Sequence, residues 1–265
     1  MNLGAMHNTA GDVGSYGLLY QWGRKDPFPA APTLTGTTAT VGAPIYDGDD
    51  NEIKITNSSQ SSTADNNLAF AIANPTVCLS NYAQFNTSRD WLQADMSNDA
   101  LWGNPKGAER NETNDFLNKG AKSFYDPCPV GWRVPPADVF RNFTASGGYA
   151  WVIDDFDIAD ISGDGAKSLA DYDYGWTFNL SDSASSYFPA AARFDGSYAM
   201  LMGSMSGLWG SYWGNAPYPG DMFQGGAYSV LSFQIKDTAG NEMITTSPAG
   251  GGARADAYSV RCIRE

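Results

Sequence analysis

Three cysteines and a single histidine set the limits of the chemistry that this sequence can carry. A cysteine or serine nucleophile usually needs a nearby base, and His7 is the only histidine in the chain. The chain also has no Gly-x-Ser-x-Gly segment, the turn that presents the catalytic serine of many hydrolases. These residue types argue against Ser–His and Cys–His catalysis and against His-rich metal sites, so we predict no catalytic residues.

Two of the cysteines are placed where a disulfide would be useful. They lie in the segments Tyr125-Asp126-Pro127-Cys128-Pro129-Val130-Gly131-Trp132-Arg133-Val134-Pro135 and Tyr258-Ser259-Val260-Arg261-Cys262-Ile263-Arg264-Glu265. A bond between Cys128 and Cys262 would tie the end of the chain to its middle; the alternative is that both are reduced core residues. Cys78 lies in an apolar run, and we expect it to be a buried free thiol.

Carboxylates are abundant, but their spacing does not single out a site. Asp154, Asp155, Asp157 and Asp160 could supply a pair for glycoside hydrolysis, although acids in a solvated loop are the simpler interpretation. The turn at 47–52 has oxygens at the first, third and fifth positions of a calcium loop, yet it lacks the later glycine and acid. Residues 160–164 form a second acidic turn. Calcium is possible, but no motif supports it, and we predict no metal and no cofactor.

The charge and hydropathy of the chain exclude several kinds of partner. The net charge is −13, and no cluster of lysine and arginine is present that could bind nucleic acid. No apolar run approaches the ~20 residues that cross a bilayer, and no signal peptide is recognisable at the start. We therefore expect no nucleic-acid partner and no membrane span.

Glycine, proline and aromatic residues dominate the elements that would position any site. Their abundance favours short strands and ordered loops over long helices. The best helix candidate begins at Pro135-Pro136-Ala137-Asp138 and ends at Gly147-Gly148, because proline suits a first helical turn. The expected class is α+β, with short strands, one or two helices and long ordered loops.

Residues 203–228 have the composition of an adaptable binding surface. Tyrosine, tryptophan, serine, glycine and asparagine give large contact areas at low entropic cost. The predicted ligand-binding residues are Trp209, Ser211, Tyr212, Trp213, Asn215, Tyr218, Asp221, Phe223, Gln224 and Tyr228. Core packing is the alternative for these aromatics, and at least one of Trp209 and Trp213 should be buried.

Several motifs spread over nearly the whole chain resemble the Fibrobacter succinogenes major paralogous domain family. They are Asn2-Leu3-Gly4-Ala5, the region from Leu19 to Phe28, both cysteine segments, Phe188-Pro189-Ala190-Ala191-Ala192-Arg193 with Gly196, and the stretch from Leu208 to Trp213. The usual Trp-Met segment before the opening motif is missing. The resemblance implies a C-type-lectin-like fold with adjacent termini, shared with formylglycine-generating enzymes. Those enzymes use two nearby cysteines, whereas only Cys262 lies near the end here.

The resemblance also implies an exported setting on Bacteroides-type bacteria. We expect residues 1–265 to form a single C-type-lectin-like domain, the C-terminal part of a larger extracellular, cell-surface protein. The predicted function is non-catalytic recognition of a glycan or protein by an adhesin of a fimbrium. One alternative is a structural module that docks a neighbouring pilus subunit; another is a diversified variable protein of a retroelement with the same fold. Trp22 and Trp132 lie in family motifs and are expected in the core, while Arg133 and Arg261 could pair with acids such as Asp126.

Overall fold

Short β-strands and long connections make up most of the structure, which is a computed structural model. It describes residues 1–34, 42, 44–58, 67–80, 90–92, 98–112, 116–139, 143–144, 153–197, 200–218, 226–235 and 251–265. Within these ranges strands predominate and a single α-helix is present. This content is compatible with the predicted α+β class and equally with a β-rich class.

The strands are mostly two to four residues long, with a few longer ones in the second half of the chain. They are β1 Leu18–Gln21, β2 Pro27–Pro29, β3 Ile45–Tyr46, β4 Glu52–Ile53, β5 Thr56–Ser58, β6 Val77–Leu79, β7 Trp132–Arg133, β8 Gly175–Ser181, β9 Ala184–Pro189, β10 Phe194–Asp195, β11 Met200–Leu201, β12 Trp209–Tyr218, β13 Gly226–Gln234, β14 Gly251–Ala253, β15 Ala257–Ser259 and β16 Ile263–Arg264. One-turn 3-10 helices cover Val13–Ser15, Ile153–Asp155, Leu169–Asp171 and Gly203–Met205.

An eight-stranded sheet organises the molecule around β15 and β12. Its strand order is β11-β10-β15-β12-β13-β14, and β1 joins β15 and carries β2 on its other edge. Strand β12 runs antiparallel to β13 and meets β15 in parallel, with Tyr212 opposite Ser259. Four two-stranded ribbons lie outside this sheet: β3–β4, β5–β6, β7–β16 and β8–β9.

Strand β12 separates two parts of the hydrophobic core because its side chains alternate between its faces. Tyr212 packs into one cluster, where its ring lies 5.3 Å from that of Phe188. Trp213 packs into the other, stacked on Tyr258 at 4.1 Å. Both faces of this strand are therefore covered by residues distant in the sequence.

The helix forms at a different place from the one that the sequence predicts. It is α1, Leu68–Ala73, whose N-cap Asn67 accepts the backbone N–H of Phe70 at 2.8 Å. At the predicted position, residues 137–138 form a turn, Val139 and Phe143 are in 3-10 conformation, and the Pro135 carbonyl accepts the N–H of Asn215 at 2.8 Å. Residues 140–142 and 145–148 lie outside the described ranges, so the helix predicted there stays a prediction.

The two ends of the chain meet, and the predicted disulfide is confirmed. Cys128 and Cys262 are bonded across a sequence separation of 134. Near the other end, the backbone N–H of Leu3 donates to Val260 at 2.8 Å. Cys78 is a buried free thiol as predicted, and burial raises its pKa to about 12. In the part of the chain that the structure describes, no helix is both long and apolar enough to cross a bilayer.

Candidate functional site: a closed loop beside the disulfide

Part of the predicted binding surface lies inside the core. Ser211, Tyr212, Trp213 and Asn215 are all buried on β12. Because β12 pairs with β13 and β15 and packs against the core on both faces, the side chains in the middle of the strand do not reach solvent. In this structure the four residues are core residues of a central strand, which gives no support to direct contact with a ligand, and their role in binding stays a prediction.

The polar atoms of these buried residues are bonded within the protein. The Tyr212 hydroxyl donates to the Pro189 carbonyl at 2.7 Å. The Trp213 indole N–H donates to the Tyr20 carbonyl at 2.7 Å, and the Asn215 side chain accepts from a second buried asparagine at 2.9 Å. A buried polar group is costly without a partner, so these bonds are what allow polar side chains in the core.

Trp209 and Tyr218 lie at opposite ends of β12 and are half-buried. An extended strand of this length separates them by about 30 Å, so they do not belong to one contact surface. Trp209 is also held in place, because its indole N–H donates to Ser211 at 2.9 Å and the Arg193 guanidinium lies 4.3 Å from the ring centre. Neither residue builds a site with the other.

The remaining predicted residues fall where the structure gives no side-chain description. Asp221, Phe223 and Gln224 lie outside the described ranges. Tyr228 is part of β13 and pairs with Gly251, but its side chain is not described. A role for these four residues in binding stays a prediction.

Large apolar side chains reach solvent instead on residues 122–132, which we call the closed loop. Val130 is 96% exposed, Phe124 79% and Trp132 44%. The prediction that Trp132 is a core residue is therefore wrong, whereas Trp22 is fully buried as predicted. Sequence patterns could not separate these two tryptophans, because both stand in aromatic and glycine-rich motifs.

The loop is closed by Lys122, whose ammonium group joins its two ends. It donates to the Trp132 carbonyl at 2.9 Å and pairs with the Asp126 carboxylate at 3.0 Å. Asp126 is buried, and it also accepts the backbone N–H groups of Cys128 at 2.8 Å and Val134 at 2.9 Å. One ion pair between a partly exposed lysine and a buried aspartate, with backbone partners on both sides, therefore fixes the path of the loop.

A tight turn presents Val130 at the tip of the closed loop. The backbone N–H of Trp132 donates to the Pro129 carbonyl at 3.0 Å, and Gly131 between them has φ of +78°. That conformation favours glycine, since a side chain would be strained there. Directly after the turn, β7 pairs with β16 beside the disulfide, and Trp132 lies opposite Arg264.

The arginines of the two cysteine segments bond to backbone carbonyls. Arg133 donates to a carbonyl at 3.2 Å, and Arg261 donates to that of Tyr187 at 2.6 Å. Asp126 is already paired with Lys122, so the predicted pairing of Arg133 with Asp126 is wrong. Both arginines hold separate segments together, which is the structural role that their position indicates.

The two acidic turns use their carboxylates to order their own backbone. Asp47 accepts the N–H groups of Asp49 and Asn51, each at 2.9 Å. Asp160 accepts two N–H groups of its turn, at 2.6 and 3.0 Å. Bonds of this kind are typical of turns that begin with aspartate.

The second acidic turn, which begins at Asp160, belongs to a longer acidic segment that ends at Asp171. From Asp160 to Asp171, oxygen-bearing side chains stand at positions one, three, five, nine and twelve, with glycine at six, the spacing of an EF-hand loop. Asp171 is buried, and it accepts the N–H groups of Ile161 and Ser162, each at 2.9 Å. Among the described residues, no three His, Cys, Asp or Glu side chains are arranged to hold a metal ion.

Comparisons with protein-family models, with curated proteins and with solved structures find no match to this chain. The closed loop and the sequence motifs are therefore the features of this chain that bear on its function. Of the surfaces described above, the closed loop is the one that exposes aromatic and aliphatic side chains on an internally bonded frame.

Proposed function

We propose that this chain is a non-catalytic ligand-recognition domain of a cell-surface or fimbrial adhesin, and that it contacts its ligand with the closed loop. The observation that carries the proposal is the exposure of Phe124, Val130 and Trp132 on one short segment. Apolar side chains gathered at a protein surface often mark an interaction site. Tryptophan is among the residues that contribute most to binding energy at interfaces.

The frame of the closed loop supports this role because it lowers the entropic cost of binding. The Lys122–Asp126 pair, the turn at Gly131 and the disulfide of Cys128 each restrict the segment before any ligand arrives. A side chain that is already ordered loses little freedom when it is covered, so more of the contact energy appears as affinity.

The disulfide and the meeting of the chain ends support the wider setting of the proposal. Disulfides persist mainly in exported proteins, which favours an extracellular location. The bond between Leu3 and Val260, together with the β7–β16 ribbon, agrees with the adjacent termini that a C-type-lectin-like domain would have. We accordingly propose that residues 1–265 form one such domain.

The test is an array of host glycans and host proteins probed with the purified chain and two variants. Trp132→Ala and Val130→Asn remove apolar contact area from the closed loop. For the ligand that the array identifies, we expect each variant to bind at least tenfold more weakly, which is the size of effect seen for residues at the centre of an interface. Thermal unfolding should show that both variants stay folded.

Matched controls separate the closed loop from exposed apolar residues in general. Tyr46→Ala and Ile72→Asn change side chains that are 57% and 59% exposed elsewhere on the molecule, and both should bind as the wild type does. Equal binding by the wild type and the Trp132 and Val130 variants would show that the ligand contacts another surface. Failure of the folded chain to bind any component of the array would count against a recognition domain.

A further inference from the structure

Two exposed cations lie beside the closed loop, although the chain as a whole is acidic. The chain carries a net charge of −13, yet exposed cations lie beside the two exposed aromatic rings of the loop, Phe124 and Trp132. The Lys25 ammonium lies 4.3 Å from the centre of the Phe124 ring. Arg264 is directly opposite Trp132 in the β7–β16 ribbon, and residues opposite each other in a ribbon project from the same face.

These two cations are available to a partner. Among the residues that the structure describes, neither Lys25 nor Arg264 forms an ion pair with a carboxylate. Nearby acids are engaged or turned elsewhere: Asp126 is buried against Lys122, and Asp26 pairs with Arg24 at 2.7 Å. Glu265 follows Arg264 in the chain and is the one exposed acid beside it within the described residues of the ribbon.

The arrangement is that of a small protein interface, with apolar side chains and cations at their edge. Burial of Phe124, Val130 and Trp132 supplies contact energy, and flanking charges select the partner. The aliphatic tip formed by Val130 favours a protein over a glycan. Burial of the Val130 side chain against other apolar groups is favourable, whereas this side chain has neither a flat ring nor a hydrogen-bonding group for a sugar.

We infer that the closed loop docks on a protein partner whose contact surface presents apolar side chains flanked by carboxylates. This inference rests on the proposed function, and it specifies the class of ligand. Its charge selection acts over short distances, because the Debye length is about 8 Å at physiological ionic strength and charges further than that from the loop are largely screened.

Four probes that separate apolar contact from charge provide the test. The first is the peptide Glu-Leu-Glu-Phe-Glu-Leu-Glu, and the second replaces each of its glutamates by glutamine. The third is an oligomer of glutamate alone, and the fourth is a chondroitin sulfate oligosaccharide. Binding is followed by the shift of the indole N–H resonance of Trp132 in ¹⁵N-labelled full chain, at 50 and 500 mM sodium chloride.

We expect the first peptide to shift this resonance and to bind at least tenfold more tightly than the other three probes. Its affinity should fall at 500 mM salt, and Arg264→Gln and Lys25→Gln should each weaken it about fivefold. Lys106→Gln is the matched control, because it removes an exposed lysine from another part of the surface, and it should change nothing.

The remaining outcomes overturn the inference and say whether the proposed function survives. If the glutamine peptide binds at Trp132 as tightly as the glutamate peptide, the closed loop is still a recognition surface, but selection by charge is rejected. Tighter binding of the sulfated oligosaccharide through Arg264 would reject a protein partner in favour of an acidic glycan. If no probe shifts the resonance, the inference is rejected, and the array experiment with Trp132→Ala then decides the proposed function separately.

Discussion

Replacing both bonded cysteines by serine should lower the free energy of unfolding by about 5 kcal/mol. The bond joins Cys128 and Cys262 across a sequence separation of 134. A loop of this length removes about 17 cal/mol/K of entropy from the unfolded chain, which gives about 5 kcal/mol at 25 °C. With the unfolding entropy expected for 265 residues, the melting temperature should fall by about 9 °C.

Calorimetry of the wild type and of Cys128→Ser/Cys262→Ser measures this change. The wild type with a reducing agent should melt close to the double variant, because both lack the bond. Alkylation of the denatured protein provides an independent count: only Cys78 should react without reductant, since it is the free cysteine. All three cysteines should react after reduction.

Two results would refute this reasoning. If all three thiols react without reductant, then Cys128 and Cys262 are not bonded. If the bond is present but its loss lowers the melting temperature by less than about 2 °C, the unfolded chain is not constrained as the loop length requires. The double variant should also lose the affinity carried by the closed loop, because β16 would no longer be tied to β7.

Two further predictions concern buried carboxylates. Asp126→Ala should destabilise the protein by about 3 kcal/mol, measured by urea unfolding, because it leaves the buried backbone N–H groups of Cys128 and Val134 without their acceptor as well as Lys122 without its anionic partner; a loss below about 1 kcal/mol would contradict this role. Backbone N–H groups, foremost that of Ser162, hold the pKa of Asp171 below its usual value of 3.8. The ionised carboxylate therefore stabilises the fold fully above pH 3.8, and this stabilisation is lost as the pH falls through the pKa of the folded state. Asp171→Asn should therefore lower the free energy of unfolding by about 1–2 kcal/mol at pH 7 and by less at pH 3. A difference between variant and wild type that is the same at both pH values would disprove this role of the Asp171 carboxylate.

Local features of the sequence predicted several parts of the structure correctly. The Pro- and Gly-bounded position of Cys128 and the closing position of Cys262 indicated the disulfide, and the apolar run around Cys78 indicated a buried thiol. The abundance of glycine and proline indicated short strands with long connections. The short strands follow from composition, which a single sequence contains in full, whereas the disulfide and the buried thiol were indicated by local motifs and then formed by the packing of distant segments.

The identity of the exposed aromatics depended on the tertiary structure alone. Alternation along β12 shows that Tyr212 and Trp213 point to opposite faces, but it does not show what covers each face. Tyr258 and Phe188, which lie far along the chain, cover both, so the predicted binding strand became core.

Trp132 shows the reverse case. Its motif predicts a core residue, yet among the described residues its strand pairs only with the two residues of β16, and the side chain stays partly in solvent. The sequence by itself determined the composition and the short strands, and it indicated the disulfide without excluding reduced cysteines. Only the packing of distant segments decided which aromatic rings are buried and which can meet a ligand, because burial is a property of what lies on the other side of a residue.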